Sequence, residues 1–468
     1  MKKEFNMNKN LIKKTMTTLT VALFITSSFI PILLSNDNFH ITNVKAAPNG
    51  GNNPWWNTDW LYRKEITISH SEIDEHLIAF PVMIHLTDAD LINKAQDNGD
   101  DIVFTNAAQT VLSHEIELFD GNTGELIAWV NVDHLSATED TIIYMYYNNP
   151  SSGNQEDVEG TWNEQYMMVH HMNDTTPSNI EDSTIHVNDG SKEASDEPIE
   201  TTALIGQGQQ FDGTNDHILI SDDSSLDPTQ ITVEAWVYID SYPGDYPRIF
   251  AKDDAAGQQY QLIAHSNNRI FWRIDDGSDW YGGDFDSGAL SLGSWIYVVG
   301  TYDGSTLRAY ANGVEQTTSY THTGSIDNGP GQLSIGSKPD DPLNSNYLFD
   351  GMIDEIRISS ISRNSSWISA TYSMVNDPES FLIMGDEEEA TDDPILVNIY
   401  PANNSANIEI QPKCQLEVHD QNGDDLDVYW YENNTDSWVL RQTNLSVSAN
   451  SSVSWIYSQA TLHSTNYW

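Results

Sequence analysis

The sequence contains a single cysteine, Cys414, among 468 residues. An intrachain disulfide needs two cysteines, so this class of cross-link is excluded. The stability of the folded chain must therefore come from the burial of apolar side chains, helped by bound metal if a site for it exists.

Basic residues are also scarce. Lys and Arg number 20 against 70 Asp and Glu, for a formal net charge of −50. Such a surface repels nucleic acid and anionic lipid headgroups, which excludes both as partners. It suits high ionic strength or a supply of divalent cations, and simple solubility in a salty medium explains it equally well.

Long apolar runs are absent beyond the first 46 residues. The run from Thr15 to Leu34 follows five lysines and precedes the small residues of Val44–Ala47, the layout of a secretory signal. We therefore exclude residues 1–46 from the fold and predict a secreted or cell-surface protein with no membrane span in the mature chain. The alternative is a retained anchor, which Pro31 disfavours.

The sequence does contain segments in which apolar residues recur at every second position. Ile231, Val233, Ala235, Val237 and Ile239 are apolar at every second position, which predicts a strand with one face in a core. The runs 295–302 and 306–311 are joined by Asp-Gly-Ser and followed by Asn-Gly, the chemistry of tight hairpins. Similar short strands separated by turn residues recur throughout, so we predict an all-β chain.

The sequence from residue 55 to 162 resembles a known extracellular family. Five sequence motifs occur in the same order as in the domain-of-unknown-function family 2341: WLYRKEITI, DADLINKAQDNGDDIVFT, LSHEIELFD, AWVNV and TIIYMYYNNP. The resemblance implies a β-sandwich module. Because the family has no established activity, the resemblance implies no function.

Residues 163–385 resemble the concanavalin A-like, laminin G-like lectin/glucanase superfamily. The resemblance rests on FDGTNDHILI, ITVEAWV, GTYDGSTLRAYANGVE and FDGMIDEIRIS, in family order. It implies a jelly roll of two antiparallel sheets.

Two further segments complete the predicted organisation. Residues 386–394 are acidic and predict a solvated linker. Residues 395–468 resemble the immunoglobulin-like modules of prokaryotic, especially archaeal, surface proteins. This module lacks its expected last strand, so we predict an incomplete immunoglobulin-like sandwich and a chain that is a piece of a longer protein.

A sugar-binding platform is the first candidate site. Flat aromatic rings stack on sugar faces, and acids or arginines bond hydroxyls. Alternation places suitable residues on the non-core face of two strands and in one rim loop: Glu234, Trp236, Tyr238, Arg308, Tyr310, Trp280 and Tyr281. The alternative is ordinary cross-strand packing or cover by a neighbouring domain.

A structural Ca²⁺ ion is the second candidate. Asp354 shares strand parity with Ile356 and Ile358, and a carboxylate on an apolar side is costly unless paired or metal-bound. The family resemblance also implies a calcium ligand in this last strand, and Asp212 and Asp216 are weaker companions. They could equally form a turn.

Catalysis has little support in the sequence. The nearest match to a retaining-glucanase Glu-x-Asp-x-x-Glu strand, Glu72-Ile-Asp74-Glu75, lies in the first domain and lacks the final acid. Glu115 and Glu117 share a strand face, also in the first domain. We also predict that the adjacent His170 and His171 do not bind zinc as a pair, because neighbouring residues of a strand point to opposite faces.

We therefore predict a non-catalytic protein whose jelly roll binds a glycan or a cell-surface protein, with Ca²⁺ as a structural cofactor. The alternatives are a structural spacer or adhesin segment without a small ligand, and a polysaccharide hydrolase. If the host glycosylates, six sequons are candidate acceptors: Asn173, Asn364, Asn403, Asn433, Asn444 and Asn450.

Overall fold

The computed structural model describes residues 19–27, 55–176, 178–192, 195–255, 257–390, 395–400, 413–419, 426–434, 438–448 and 451–456. The chain divides into two compact units, residues 59–389 and residues 1–58 with 390–468. Apart from residues 19–27, the predicted export signal lies outside this description. No helix within it is long and apolar enough to cross a bilayer.

The secondary structure is almost entirely β, which confirms the predicted class. The first part of the chain contains β1 (Leu19–Ser27). Up to residue 162 follow β2 (Tyr62–Ile68), β3 (Leu77–Thr87), α1 (Leu91–Lys94), β4 (Val103–Asn106), β5 (Val111–Leu112), β6 (His114–Asp120), β7 (Glu125–Leu135), β8 (Thr141–Tyr147) and α2 (Val158–Thr161).

The second stretch of the large unit supplies most of the strands. Its first half contains β9 (Tyr166–His170), β10 (Gly190–Lys192), β11 (Ile199–Thr202), β12 (Gln207–Asp212), β13 (Ile218–Ile220), β14 (Ile231–Ser241), β15 (Arg248–Asp254), β16 (Gly257–His265), β17 (Arg269–Asp275) and β18 (Trp280–Asp284). Its second half contains β19 (Trp295–Tyr302), β20 (Thr306–Ala311), β21 (Val314–Glu315), β22 (Tyr320–Thr321), β23 (Leu333–Ile335), β24 (Asp350–Ser359), α3 (Ser365–Asn376), α4 (Pro378–Phe381) and β25 (Leu382–Glu389).

Strands β2–β8 form the first sandwich. Its sheets have the orders β25-β2-β8-β4-β5 and β3-β7-β6, and side chains such as Phe80, Val130 and Met145 fill the space between them. Strand β25 is an edge strand contributed from far along the sequence. Residues 386–389 therefore belong to a strand, where Arg63 pairs with Glu388 at 2.7 Å, and not to the predicted linker. Residues 391–394 of that linker lie outside the description.

Two larger sheets form the predicted jelly roll. The larger has the order β11-β12-β24-β14-β19-β20-β21, with β9 and β22 added at its sides, and the smaller has the order β10-β13-β23-β15-β16-β17-β18. Val233, Ala235 and Val237 of β14 point into the core between the sheets, as their alternation predicts. The predicted hairpin of β19 and β20 is present.

Residues from the jelly-roll stretch pack into the core of the first sandwich, which we call the shared core. Helix α3 begins after Asn364, whose side chain accepts a hydrogen bond from the Trp367 backbone N–H at 2.9 Å. Its residues Trp367 and Met374 pack with the first sandwich, as do Tyr166 and Val169 of β9. The predicted boundary after residue 162 therefore separates two stretches of sequence that pack together.

The smaller unit contains β26 (Ile395–Tyr400), β27 (Lys413–His419), β28 (Leu426–Asn434), β29 (Trp438–Val447) and β30 (Ser451–Ile456). Together with β1 they form the sheets β26-β27-β30 and β1-β28-β29, so residues 19–27, which we predicted to lie outside the fold, pair in parallel with β28 in this structure. Trp430 and Trp455 bring the two sheets together, with ring centroids 6.0 Å apart. Burial raises the pKa of the Cys414 thiol to about 11, so the thiol is protonated at neutral pH.

The predicted glycan acceptors are spread over both units. Asn173 is half-buried, and Asn364 caps α3 and donates to Glu75 at 3.2 Å. Asn444 accepts from the Trp430 indole at 2.9 Å. Asn403 and Asn450 lie outside the description, and for Asn433 it covers the backbone alone.

Replacing Trp367 by Ala tests the shared core. The Trp367 ring lies 4.8 Å from the Phe80 ring and 3.9 Å beneath the Arg363 guanidinium. We expect Trp367→Ala to lower the free energy of unfolding by about 3–5 kcal/mol, the usual cost of removing a buried aromatic side chain. Urea unfolding followed by tryptophan fluorescence and circular dichroism measures it.

The control is Ile383→Ala in β25, whose side chain is 59% exposed. Substitution of an exposed residue changes stability by about 0.5 kcal/mol or less. Equal effects of the two substitutions would contradict the shared core.

Candidate functional site

The outer face of the larger jelly-roll sheet is covered by protein. Trp236 is 4% exposed, and its ring stacks on that of Tyr372 in α3 at 5.7 Å. Tyr310 is 3% exposed and packs in the same cluster with Ile368. Glu234 is likewise buried and accepts a hydrogen bond from the Tyr297 hydroxyl at 2.8 Å. The prediction that these three residues form an open platform is therefore wrong.

Two other predicted platform residues lie at the margins of this sheet. Tyr238 is half-buried and contacts the edge of the Trp295 ring. Arg308 donates to Asp303 at 2.7 Å. Both are held by residues of their own sheet, as the packing alternative describes.

The three predicted calcium ligands do not come together. In β24 the partner of Trp236 is Asp354 and the partner of Glu234 is Arg357, so β24 has one extra residue between them. This β-bulge reverses the alternation, and Asp354 lies on the outer side with Trp236. The predicted parity of Asp354 with Ile356 is wrong for this reason.

Asp212 and Asp216 form a separate turn. Asp212 lies opposite Asp350, and a strand rises about 3.3 Å per residue, which places Asp354 about 13 Å further along β24. Asp216 accepts a hydrogen bond from the Asp212 backbone N–H at 2.8 Å. Burial raises the pKa of Asp216 to about 6. Calcium binding stays a prediction, without this set of ligands.

The outer face of the smaller sheet is partly exposed at β17 and β18, where it carries Trp280, whereas Gln261 and Ile263 of the neighbouring β16 are buried. On β17 the buried residues Ile270, Trp272 and Ile274 alternate with partly exposed residues that face outwards. The residues that line this surface, which we call the Arg273 face, are Tyr246, Arg248, Phe271, Arg273, Trp280 and Tyr347. Tyr281, predicted beside Trp280, points the other way and stacks on His322 at 3.5 Å.

Arg273 occupies the middle of this face. Its guanidinium carbon lies 3.9 Å from the centroid of the Trp280 ring and 5.5 Å from that of Phe271. It donates to the side-chain oxygen of Gln261 at 3.0 and 3.2 Å. Burial lowers the pKa of Arg273, partly offset by the charges of Asp253 and Asp275. The guanidinium is therefore fixed between two rings, with its position set by Gln261.

A second arginine lies beside the first. Arg248 is buried beside the Tyr347 ring at 4.6 Å and donates to the Tyr246 carbonyl at 2.7 Å. Burial and the neighbouring charge of Arg273 lower the pKa of Arg248 to about 10. Its Nε and the Oδ1 of Asp253 have no hydrogen-bond partner within the described part of the chain. This arrangement suits a ligand with ring faces that stack on the aromatic side chains and with oxygens that accept hydrogen bonds from arginine.

Comparison with known families places this face within a recognised module. Residues 212–369 match the concanavalin A-like lectin/glucanases superfamily. Residues 98–188 match the domain of unknown function 2341. These two predicted resemblances are confirmed, in the predicted order, and the immunoglobulin-like resemblance of residues 395–468 stays a prediction. No curated protein matches.

Several solved structures are similar to this chain at low identity. Domain 4 of AbnA, an extracellular GH43 arabinanase of Geobacillus stearothermophilus solved with arabinotriose, is 19% identical, with 44% of this chain and 97% of that chain covered and a TM-score of 0.36. The binding domain of Paraclostridial Mosquitocidal Protein 1 is 10% identical, with 62% and 76% covered and a TM-score of 0.38. The botulinum neurotoxin serotype G binding domain is 13% identical, with 54% and 72% covered and a TM-score of 0.36.

Most of the Arg273 face of the concanavalin A-like domain escaped sequence reasoning. The sequence does contain a signal for this face, because polar or aromatic residues alternate with apolar ones along β17 as they do along β14: Arg269, Phe271, Arg273 and Asp275. The choice between two equally patterned sheets depends on which one is covered.

The pH dependence of stability tests the buried turn of the concanavalin A-like domain. Since the folded pKa of Asp216 is raised, its ionised form is disfavoured in the folded state, and stability falls as pH rises from about 4 through about 6. Asp216→Asn should therefore stabilise the protein at pH 8 by about 1 kcal/mol, after discounting for solvent screening, and leave it unchanged at pH 4.

Thermal melts of both proteins across this pH range measure the effect. Asp97→Asn, at an exposed position, makes the same change in net charge and should give no such pH dependence. A gain that is equal at pH 4 and pH 8 would contradict the assignment.

Proposed function

We propose that this protein is an exported, non-catalytic carbohydrate-binding protein whose Arg273 face binds an acidic polysaccharide. The observation that carries the proposal is the partly exposed Arg273, held beside the Trp280 ring and above the buried Arg248, in a chain with net charge −50. Two arginines held side by side repel each other, and a ligand carboxylate would relieve that repulsion.

The side chains of this face supply complementary contacts to such a ligand. Trp280 and Tyr246 offer ring surface for a sugar, while the Arg273 guanidinium offers donors in the planar geometry that carboxylates accept. Arg248 and Asp253 are 3% and 2% exposed, so they act from beneath the face, through their charges on Arg273, and do not contact the ligand themselves. The overall negative charge opposes the approach of an acidic chain, and physiological salt screens it within about 8 Å.

The rest of the molecule is consistent with a scaffold that presents the Arg273 face to a ligand. The first sandwich and α3 cover the opposite sheet, which leaves the smaller sheet free to contact a ligand. The glutamates of the hydrolase alternative, Glu115 and Glu117, have side chains 12% and 1% exposed, which leaves a polysaccharide without access to them. Export follows in this proposal from the secretory layout of residues 1–46.

Binding to polygalacturonate, with a neutral glucan beside it, tests the proposal by isothermal titration calorimetry. We expect Arg273→Ala to weaken binding about 10- to 100-fold, the usual cost of removing a charged hydrogen-bond donor. Trp280→Ala should weaken it about 2- to 10-fold through the lost stacking.

Arg308→Ala is the matched control, because it removes the same charge from the other sheet and should leave affinity unchanged. If neither polysaccharide binds, or if Arg273→Ala binds as tightly as the wild type, the proposal is wrong and the spacer alternative is favoured. Equal binding of both polysaccharides would retain the face as a glycan site and remove its preference for acids.

A further inference from the structure

A cluster of ionisable side chains is buried where the first sandwich meets the larger jelly-roll sheet. At its centre lie Glu117 of β6, His171 immediately after β9, and Glu355 of β24, which we call the junction triad. The Nδ1 atom of His171 is 2.7 Å from Glu355 Oε1 and 3.5 Å from Glu117 Oε2. Three segments distant in sequence therefore bring one imidazole nitrogen and two carboxylates to one point.

We propose that the junction triad binds a divalent transition-metal ion of the Zn²⁺ class. One donor atom from each residue lies within 4.8 Å of the other two. Ligands at about 2.0–2.2 Å from tetrahedral zinc are about 3.4 Å apart, so small side-chain rotations close the site. Imidazole with carboxylate suits Zn²⁺, whereas Ca²⁺ takes six to eight oxygens.

The surroundings of His171 have the form that supports a metal ligand. Its other nitrogen, Nε2, lies 3.2 Å from Oε2 of Glu115. Glu115 is itself fixed by Trp162 Nε1, which donates to it at 2.5 Å, and by Ser183 Oγ, which donates at 2.7 Å. A carboxylate that accepts from the second ring nitrogen orients a ligating histidine and fixes its tautomer.

The backbone at Glu355 is strained in a way that serves the site. Glu355 is the extra residue of the β24 bulge and has φ of +51°, a conformation that costs side-chain-bearing residues free energy. Ile356 and Ile358 face the core, so Glu355 points to the outer side, where it meets His171 and Glu117, and the bulge brings the neighbouring Asp354 to that side as well. Strain of this kind persists where the surrounding structure requires the side-chain direction.

The charge of the cluster also leaves room for a cation. Among the described residues, five carboxylates meet here against two basic side chains, His171 and Arg357: Glu115, Glu117, Glu234, Asp354 and Glu355. Arg357 is occupied by Glu355 and Glu234. Oε1 of Glu117 has no hydrogen-bond partner in the described ranges, although the side chain is 1% exposed. Binding through both Glu117 oxygens would complete a set of four donor atoms.

The rings around the triad indicate a closed, structural site. The Trp129 and Trp162 rings lie 5.9 and 5.6 Å from the His171 ring. No substrate reaches an ion enclosed in this way, so its effect would be to cross-link β6, the segment after β9, and β24. That would join the two sandwiches without any disulfide.

The test begins with the full chain treated with a chelator and then titrated with Zn²⁺, and separately with Co²⁺. We expect one Zn²⁺ per chain by calorimetry, a higher melting temperature, and the visible absorption of four-coordinate Co²⁺ with nitrogen and oxygen ligands. Absence of stoichiometric Zn²⁺ binding overturns the proposal, as does tighter binding of Ca²⁺ than of Zn²⁺.

Variants then locate the ion. Glu117→Gln and His171→Gln should each abolish the Co²⁺ absorption and lower Zn²⁺ affinity at least 100-fold. Glu115→Gln keeps all three ligands and should lower affinity only 10- to 100-fold. His70→Gln removes a histidine from an exposed pair with Asp140 and should bind as the wild type does.

Circular dichroism establishes that each variant is folded. If the ligand variants fail to fold, the milder Glu115→Gln and the Co²⁺ spectrum of the wild type still decide the matter. Wild-type affinity in folded Glu117→Gln or His171→Gln contradicts the assignment of these ligands.

Discussion

The junction between the two sandwiches depends on the buried guanidinium of Arg357. It pairs with Glu355 and with Glu234 and lies 4.2 Å from the centroid of the Trp129 ring of the first sandwich. A buried cation is stable only when its donors are satisfied, so carboxylates and rings from both sandwiches must be in place together. These carboxylates raise the pKa of Arg357 against the opposing effect of burial, so it stays charged.

The consequences of this junction extend to the rest of the large unit. Covering the outer face of one jelly-roll sheet leaves the outer face of the other as the accessible surface of the concanavalin A-like domain. After the last jelly-roll strand, helix α3 packs with the first sandwich and β25 pairs with its strand β2, and α3 also contacts the covered face. The proposed ligand site on the Arg273 face and the proposed metal site at the junction would thereby be separate, on opposite sheets of one jelly roll.

Burial at the junction also determines the pKa values of its ionisable side chains. Burial and the charge of Glu355 raise the pKa of Glu117 to about 8, while Glu355, Glu115 and Glu117 together raise that of His171 despite its burial. Conversely, His171 lowers the pKa of Glu115 against the effect of its burial. The cluster is thus electrostatically coupled, and each group depends on the charge of its neighbours.

The sequence by itself determined the β class, the order of the two modules and the hairpin of β19 and β20, because alternation and turn chemistry are local. Even the pair Glu115 and Glu117 on one strand face was visible there. Only the tertiary structure decided that Trp236 and Tyr310 are buried while Arg273 and Trp280 lie on the open side. Both sheets carry the same alternation, and what covers a sheet comes from elsewhere in the chain. The bulge at Glu355 is a further case, since one inserted residue reverses strand parity and its position depends on the partner strand.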